Sequence, residues 1–167
     1  MQKISMSKWL LAAGVAVAVV AVAPQSGFSA GDPPKCPKGK DCRSDNPTGD
    51  DQTYNLGYWQ AKSGAYDAAI STLRSAKNPA DPRIQTMIGF SLRKLGRIDE
   101  AMGYYRSALS INPNLTNTRQ YLGEAFLQIG QPAKAKEQLS EIAKRCSVAC
   151  EDYRLLAEAI AKAETAG

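Results

Sequence analysis

The sequence predicts an all-α chain: a superhelix of three helical hairpins closed by a C-terminal capping helix. Three observations carry that expectation. Small residues recur in step, with Gly57, Gly89 and Gly123 spaced 32 and then 34 residues apart, and the series Gly64, Gly96, Gly130 and Ala69, Ala101, Ala135 keep the same offsets. Between the glycines lie paired amphipathic patterns, clearest at Ile84, Met87, Ile88, Leu92 and Leu95 and then at Ile98, Ala101, Met102, Tyr105, Ala108 and Leu109. Finally, the stretch from Glu151 to Ala163 sets Tyr153, Leu156, Ala159 and Ile160 against a charged side of Glu151, Asp152, Arg154, Glu158 and Lys162. A hairpin of two short helices leaves an apolar face uncovered, so hairpins must stack and the last must be sealed.

One domain with appendages fits 167 residues. Residues 1–30 stand apart from it. Lys3 and Lys8 precede an uncharged run from Trp9 to Ala23, followed by Pro24 and the small residues Gly27, Ser29 and Ala30. A basic start, a short apolar segment and a small-residue exit make the pattern of a secretory signal peptide. Export to the periplasm is expected, with cleavage after Ser29 or Ala30. The alternative, a retained anchor, calls for a run nearer ~20 residues. No cysteine follows the run closely, so lipid attachment is not expected. Residues 31–51 read as a Pro/Gly-rich flexible linker: Pro33, Pro34, Pro37, Pro47, Gly39 and Gly49 occur with no large apolar residue. The repeat units then run 50–81, 82–115 and 116–149, with the cap at 150–164.

A period near 34 residues built from helix pairs, with small residues where the helices cross, resembles the tetratricopeptide repeat (TPR). In the middle unit, Ile88-Gly89, Leu92, Ala101, Tyr105, Ala108 and Pro113 stand where the family has Leu-Gly, Tyr, Ala, aromatic, Ala and Pro. In the first unit Leu56-Gly57, Tyr66, Ala69, Leu73 and Ala76 match, with Gln60 where Tyr is usual. In the third, Leu122-Gly123, Phe126, Ala135 and Leu139 match, while Ile142 replaces the second small residue and Ser147 the terminal Pro. The resemblance covers residues 50–149 and implies a TPR-type α-α superhelix, in which Gly of the first helix and Ala of the second let two backbones approach.

Four cysteines in an exported chain meet an oxidising compartment and allow three pairings. Local bridges, Cys36–Cys42 and Cys146–Cys150, are favoured, because the first pair sits in the linker with no evident route to the far end. The second pair flanks Ser147, and the expectation is that its bridge fixes the angle between the last repeat and the cap. The spacings C-x5-C and C-x3-C are neither the C-x-x-C of a redox centre nor the tight knuckles of a zinc site.

The chain has no histidine, which removes Ser-His-Asp and Cys-His catalysis and His-ligated metals. The adjacent acids Asp99-Glu100 and Glu151-Asp152 read as helix-dipole partners, since neighbours in sequence do not face each other on a helix. No enzyme activity, cofactor or metal is expected. The formal net charge is +5; without Lys3 and Lys8, 19 bases against 16 acids leave +3. That charge is too mild and dispersed for nucleic acid, so the expected partner is a protein or peptide.

The TPR resemblance also implies that the first helix of each pair lines a concave groove. Carried onto this chain, the groove-facing positions are Tyr54, Tyr58 and Lys62, then Thr86, Phe90, Arg93 and Lys94, then Gln120, Glu124 and Gln128. Aromatics beside bases suit an extended peptide bearing acidic or carboxylate groups. The alternative is that Tyr58 and Phe90 pack against neighbouring helices while Arg93 and Lys94 are merely solvated. The family's carboxylate clamp places Asn at the positions held by Tyr58, Phe90 and Glu124, so it is not carried over. Trp59 is expected to fill space between helices. The functional expectation is an exported, non-catalytic adaptor. Its rivals are a cell-envelope factor that binds peptidoglycan and a module that self-assembles into a homo-oligomer. Membrane contact is expected only through an uncleaved leader.

Overall fold

The computed structural model describes residues 49–166; the leader, nearly all of the linker and the Cys36–Cys42 pair lie outside the described residues. Within them the chain forms seven helices: α1 (Gly49–Lys62), α2 (Tyr66–Arg74), α3 (Pro82–Lys94), α4 (Ile98–Ile111), α5 (Thr116–Gln128), α6 (Pro132–Cys146) and α7 (Glu151–Ala166). No described helix is long and apolar enough to cross a membrane.

Local chemistry sets the ends of these helices. The first begins at Gly49, so the last residues of the expected linker are helical. Asp50 and Asp51 there suit the positive end of the helix dipole. The Asp50 carboxylate also accepts from the backbone N–H groups of Lys77 (2.7 Å) and Asn78 (3.0 Å), fastening α1 to the turn after α2. The third helix starts on Pro82, with the Asp81 side chain accepting from Arg83 N at 2.8 Å. Gly64, Gly96 and Gly130 have φ of 90°, 79° and 69°, and each turns the chain from the first helix of a pair into the second.

The pairs α1–α2, α3–α4 and α5–α6 stack so that α2 packs on α3 and α4 on α5, around one continuous apolar core. The other glycine column makes the notches in that core. A Cβ on Gly57 would lie 2.4 Å from Leu73, and one on Gly89 would lie 2.7 Å from the Tyr105 ring and 3.2 Å from the Ala101 carbonyl oxygen. The third pair departs from this pattern. What fills the notch over Gly123 is Leu156 of α7, at 2.6 Å from a built Cβ. Leu139, the counterpart of Leu73 and Tyr105, is only half-buried. The capping helix packs against both α5 and α6. It also continues the 34-residue offset one step further: Ile88, Leu122 and Leu156 share a column, and Ala157 stands in the glycine column. The cap thus holds the place of a fourth repeat's first helix.

The opposite end is open. Leu56 is 55% exposed, whereas its column partners Ile88 and Leu122 are 1% and 4% exposed. Trp59 is 45% exposed, which corrects its expected role as a filler between helices. The cause is positional. The helices α3 and α5 each pack against the second helix of the preceding hairpin, and among the described residues α1 has no preceding hairpin.

Cys146 and Cys150 are joined in a disulfide, with Cα atoms 5.8 Å apart. The loop it closes contains Ser147, which at φ 69° is the one non-glycine residue with positive φ among the described residues. That backbone is strained for an L-amino acid and persists when its surroundings hold it. Closing so short a loop contributes about 2 kcal/mol by the chain-entropy relation. Reduction is expected to lower Tm by roughly 6–10 °C for a domain of this size. Thermal scans by circular dichroism with and without reductant check this, and coincident curves would remove the bridge from the account of the cap.

Candidate partner-binding groove

The first helices of the pairs and the capping helix together line a cavity of about 520 Å³. Tyr58 and Lys62 come from α1; Met87, Phe90, Arg93 and Lys94 come from α3. The fifth helix supplies Asn117, Gln120, Tyr121 and Glu124, and α7 supplies Glu151, Asp152 and Leu155. Of the ten positions expected to face a groove, Tyr58, Lys62, Phe90, Arg93, Lys94, Gln120 and Glu124 are brought together here.

Three are placed elsewhere. Thr86 is buried between α3 and α5. Its hydroxyl donates to the Pro82 carbonyl at 2.7 Å and meets Thr118 Oγ1 at 2.7 Å, a polar contact that is satisfied inside the fold and unavailable to a ligand. Tyr54, a turn before Tyr58, is half-buried with the Arg83 guanidinium 5.0 Å from its ring centre. Burial, seconded by Tyr58, pushes its phenol up to about 12. Gln128 ends α5, exposed and beyond the cavity.

The floor is aromatic. Phe90 lies 5.0 Å from Tyr121 and 6.3 Å from Tyr66, centre to centre, and Tyr121 lies 6.4 Å from Tyr105. Cations gather on these rings. The Lys62 ammonium is 5.0 Å from the Phe90 centroid, 5.5 Å from Tyr58 and 5.8 Å from Tyr121, and it donates to the Tyr121 hydroxyl at 3.3 Å. Lys94 stands 5.6 Å from Phe90. Ring faces attract such charges, which are worth ~0.5–1 kcal/mol each where exposed.

Arg93 differs from the lysines. Its side chain is 4% exposed and its guanidinium is paired at 2.5 Å with Glu124, whose own side chain is 23% exposed. The other Glu124 oxygen accepts from Gln120 Nε2. Phe90 (7% exposed) in the floor and Arg93 beside it are therefore built into the fold, and Lys62 and Lys94 are the exposed groups. Burial raises the Tyr121 phenol, and the carboxylate of Asp152 adds to the effect. This places α7's acids within electrostatic reach of the floor.

Sequence reasoning missed Met87, Asn117, Tyr121 and the residues of α7. The signal was present in the register, because Leu155 falls 34 residues after Tyr121 and Glu151 falls 34 after Asn117. A second recess, about 320 Å³, is lined by Arg74, Gln85, Glu100, Gly103 and Tyr104, so it holds a single aromatic ring, whose hydroxyl already accepts from Arg74 at 3.4 Å.

Residues 92–146 match the family described as Tetratricopeptide repeat. The secretion translocator chaperone SycD of Yersinia enterocolitica superposes with a TM-score of 0.59 at 20% identity, covering 76% of this chain and 95% of that one. The fold is a TPR superhelix. The SycD complex with a peptide of the translocator YopD gives 0.58 at 20% identity over 69% of this chain and 88% of that chain. PcrH bound to the chaperone-binding region of PopB gives 0.55 at 21% identity over 67% and 92%. These TPR-like neighbours share the fold at low identity. None of the curated proteins matches the chain.

Proposed function

We propose that this chain is an exported, periplasmic, non-catalytic TPR adaptor that holds a protein or peptide segment in its concave groove. One observation carries the binding part: an aromatic floor, flanked by exposed Lys62 and Lys94, opens into a cavity sized for several side chains. Several structural neighbours are complexes, with a peptide of the translocator YopD or with the chaperone-binding regions of PopB and PopD, which supports the same use of this fold. Export rests on Lys3, Lys8, the Trp9–Ala23 run and the small residues that follow it. Photo-crosslinking in intact cells from Tyr58 and Lys94, with exposed Arg106 on α4 as control, tests the groove. The expected result is a discrete partner band from the groove positions; equal labelling from Arg106 would overturn it. Fractionation and N-terminal sequencing test export, with the mature chain starting at Ala30 or Gly31.

A second reading is self-assembly through the open face of α1, and the exposed Leu56 and Trp59 favour it. Light scattering on the mature chain and on a Trp59→Glu variant decides this, since a dimer of the first that is a monomer in the second would support it.

A further inference from the structure

The groove is divided by charge, and the division restricts what fits it. At the α1–α3 side stand two ammonium groups, Lys62 and Lys94, both near the Phe90 ring. Neither is in a salt bridge among the described residues. The third cation there, Arg93, is matched by Glu124. Even so, its Nε–H has no acceptor, although the side chain is 4% exposed and lines the cavity. At the α7 side stand Glu151 and Asp152, also outside the salt bridges, with Leu155 one turn further along the same helix and Tyr121 of α5 also lining the cavity.

Resting on the groove reading above, we infer that the ligand is a zwitterionic peptide segment, with an acidic group on Lys62 and Lys94, a basic group on Glu151 and Asp152, and an apolar side chain between them. Charge-assisted hydrogen bonds form at both ends of such a ligand. A uniformly acidic segment meets Glu151 and Asp152 with like charge, and a uniformly basic one meets the two lysines. Like-charge juxtaposition suppresses wrong partners, so the two ends reject as well as attract. Tyr121 sits at the divide: its hydroxyl accepts from Lys62, and Asp152 and Glu151 both act on its ionisation.

The test uses fluorescein-labelled 12-residue peptides of equal apolar content. Two are zwitterionic, with a Glu pair and a Lys pair flanking a leucine centre in either chain order, one is all-Glu and one is all-Lys. Anisotropy with the mature chain should show at least one zwitterionic peptide binding tenfold or more tighter than both single-sign peptides, with affinity falling as salt rises. Lys62→Glu with Lys94→Glu should abolish that preference and favour the all-Lys peptide. Glu151→Gln with Asp152→Asn, which leaves α7 without reversed charge at its first turn, should bring the all-Glu peptide level with the zwitterionic one. All four substitutions are at partly or fully exposed positions, and far-UV circular dichroism verifies the fold of each variant. Equal affinity across the series in the wild-type chain, or no response to the α7 pair, overturns the charge division. If that happens while crosslinking from Tyr58 still yields a partner, the groove reading survives; loss of both removes the two together.

Discussion

Replacing Tyr105 by alanine is expected to lower the unfolding free energy by about 3–5 kcal/mol, the range for truncating a buried aromatic. The residue has no exposed surface, and its ring fills the notch that Gly89 leaves, with Cε1 2.7 Å from where a Cβ would stand. Its removal opens a cavity at the crossing of α3 and α4, in the middle pair, which the outer repeats lean on from both sides. With a typical total stability of only about 5–15 kcal/mol, a loss of this size removes a large share of it. Urea denaturation measures it. The reciprocal change, Gly89→Ala, overpacks the same notch and should cost about 1–3 kcal/mol. The double variant should lose less than the two single losses combined, because the new methyl enters the space the ring vacates. A Tyr105→Ala loss below about 1 kcal/mol would mean that the crossing relaxes far more than a close-packed interior should.

The second large effect is electrostatic. Glu124→Ala is expected to destabilise by about 2–3 kcal/mol, toward the low side for breaking a buried pair because Glu124 still reaches water. The variant strands the Arg93 guanidinium at 4% exposure and leaves Gln120 Nε2 without the oxygen it donates to. Arg93→Met added to it should recover most of the loss, since no charge is then left buried. Chemical denaturation of the two singles and the double gives the coupling energy, and a coupling near zero would show that the pair contributes no more than an exposed one.

The glycine and alanine columns made the hairpins, the turns and the stacking legible, because close approach and positive φ tolerate few residues. Leu73, Tyr105 and Ala108 could likewise be read as core from the pattern alone. The groove was legible only in its outline. Arg93 looks from sequence like any solvated base on a helix, yet it is buried, with its charge matched by Glu124, which lies 31 residues later on another helix. Thr86 looks like a small polar groove residue until Thr118 arrives at 2.7 Å across α3 and α5. Glu151 and Asp152 read as dipole partners, which the first turn of α7 permits. Their second role depends on that helix taking the position of another repeat, a matter of packing angle that no local pattern states. The openness of Leu56 and Trp59 has the same origin: a helix face is buried or bare according to its neighbour.

The wedge of Leu156 over Gly123 and the two carboxylates at the groove's far side belong to one rigid rod. Capture of a ligand and fraying of the chain's end are therefore linked equilibria. An occupant that grips the first turn of that rod should slow amide exchange throughout α6 and α7, by a factor set by its concentration relative to Kd. Linkage also runs the other way. Opening the sulfur bridge would loosen the rod and weaken capture, so thiol chemistry outside the cavity could tune affinity without altering a single residue that a ligand touches.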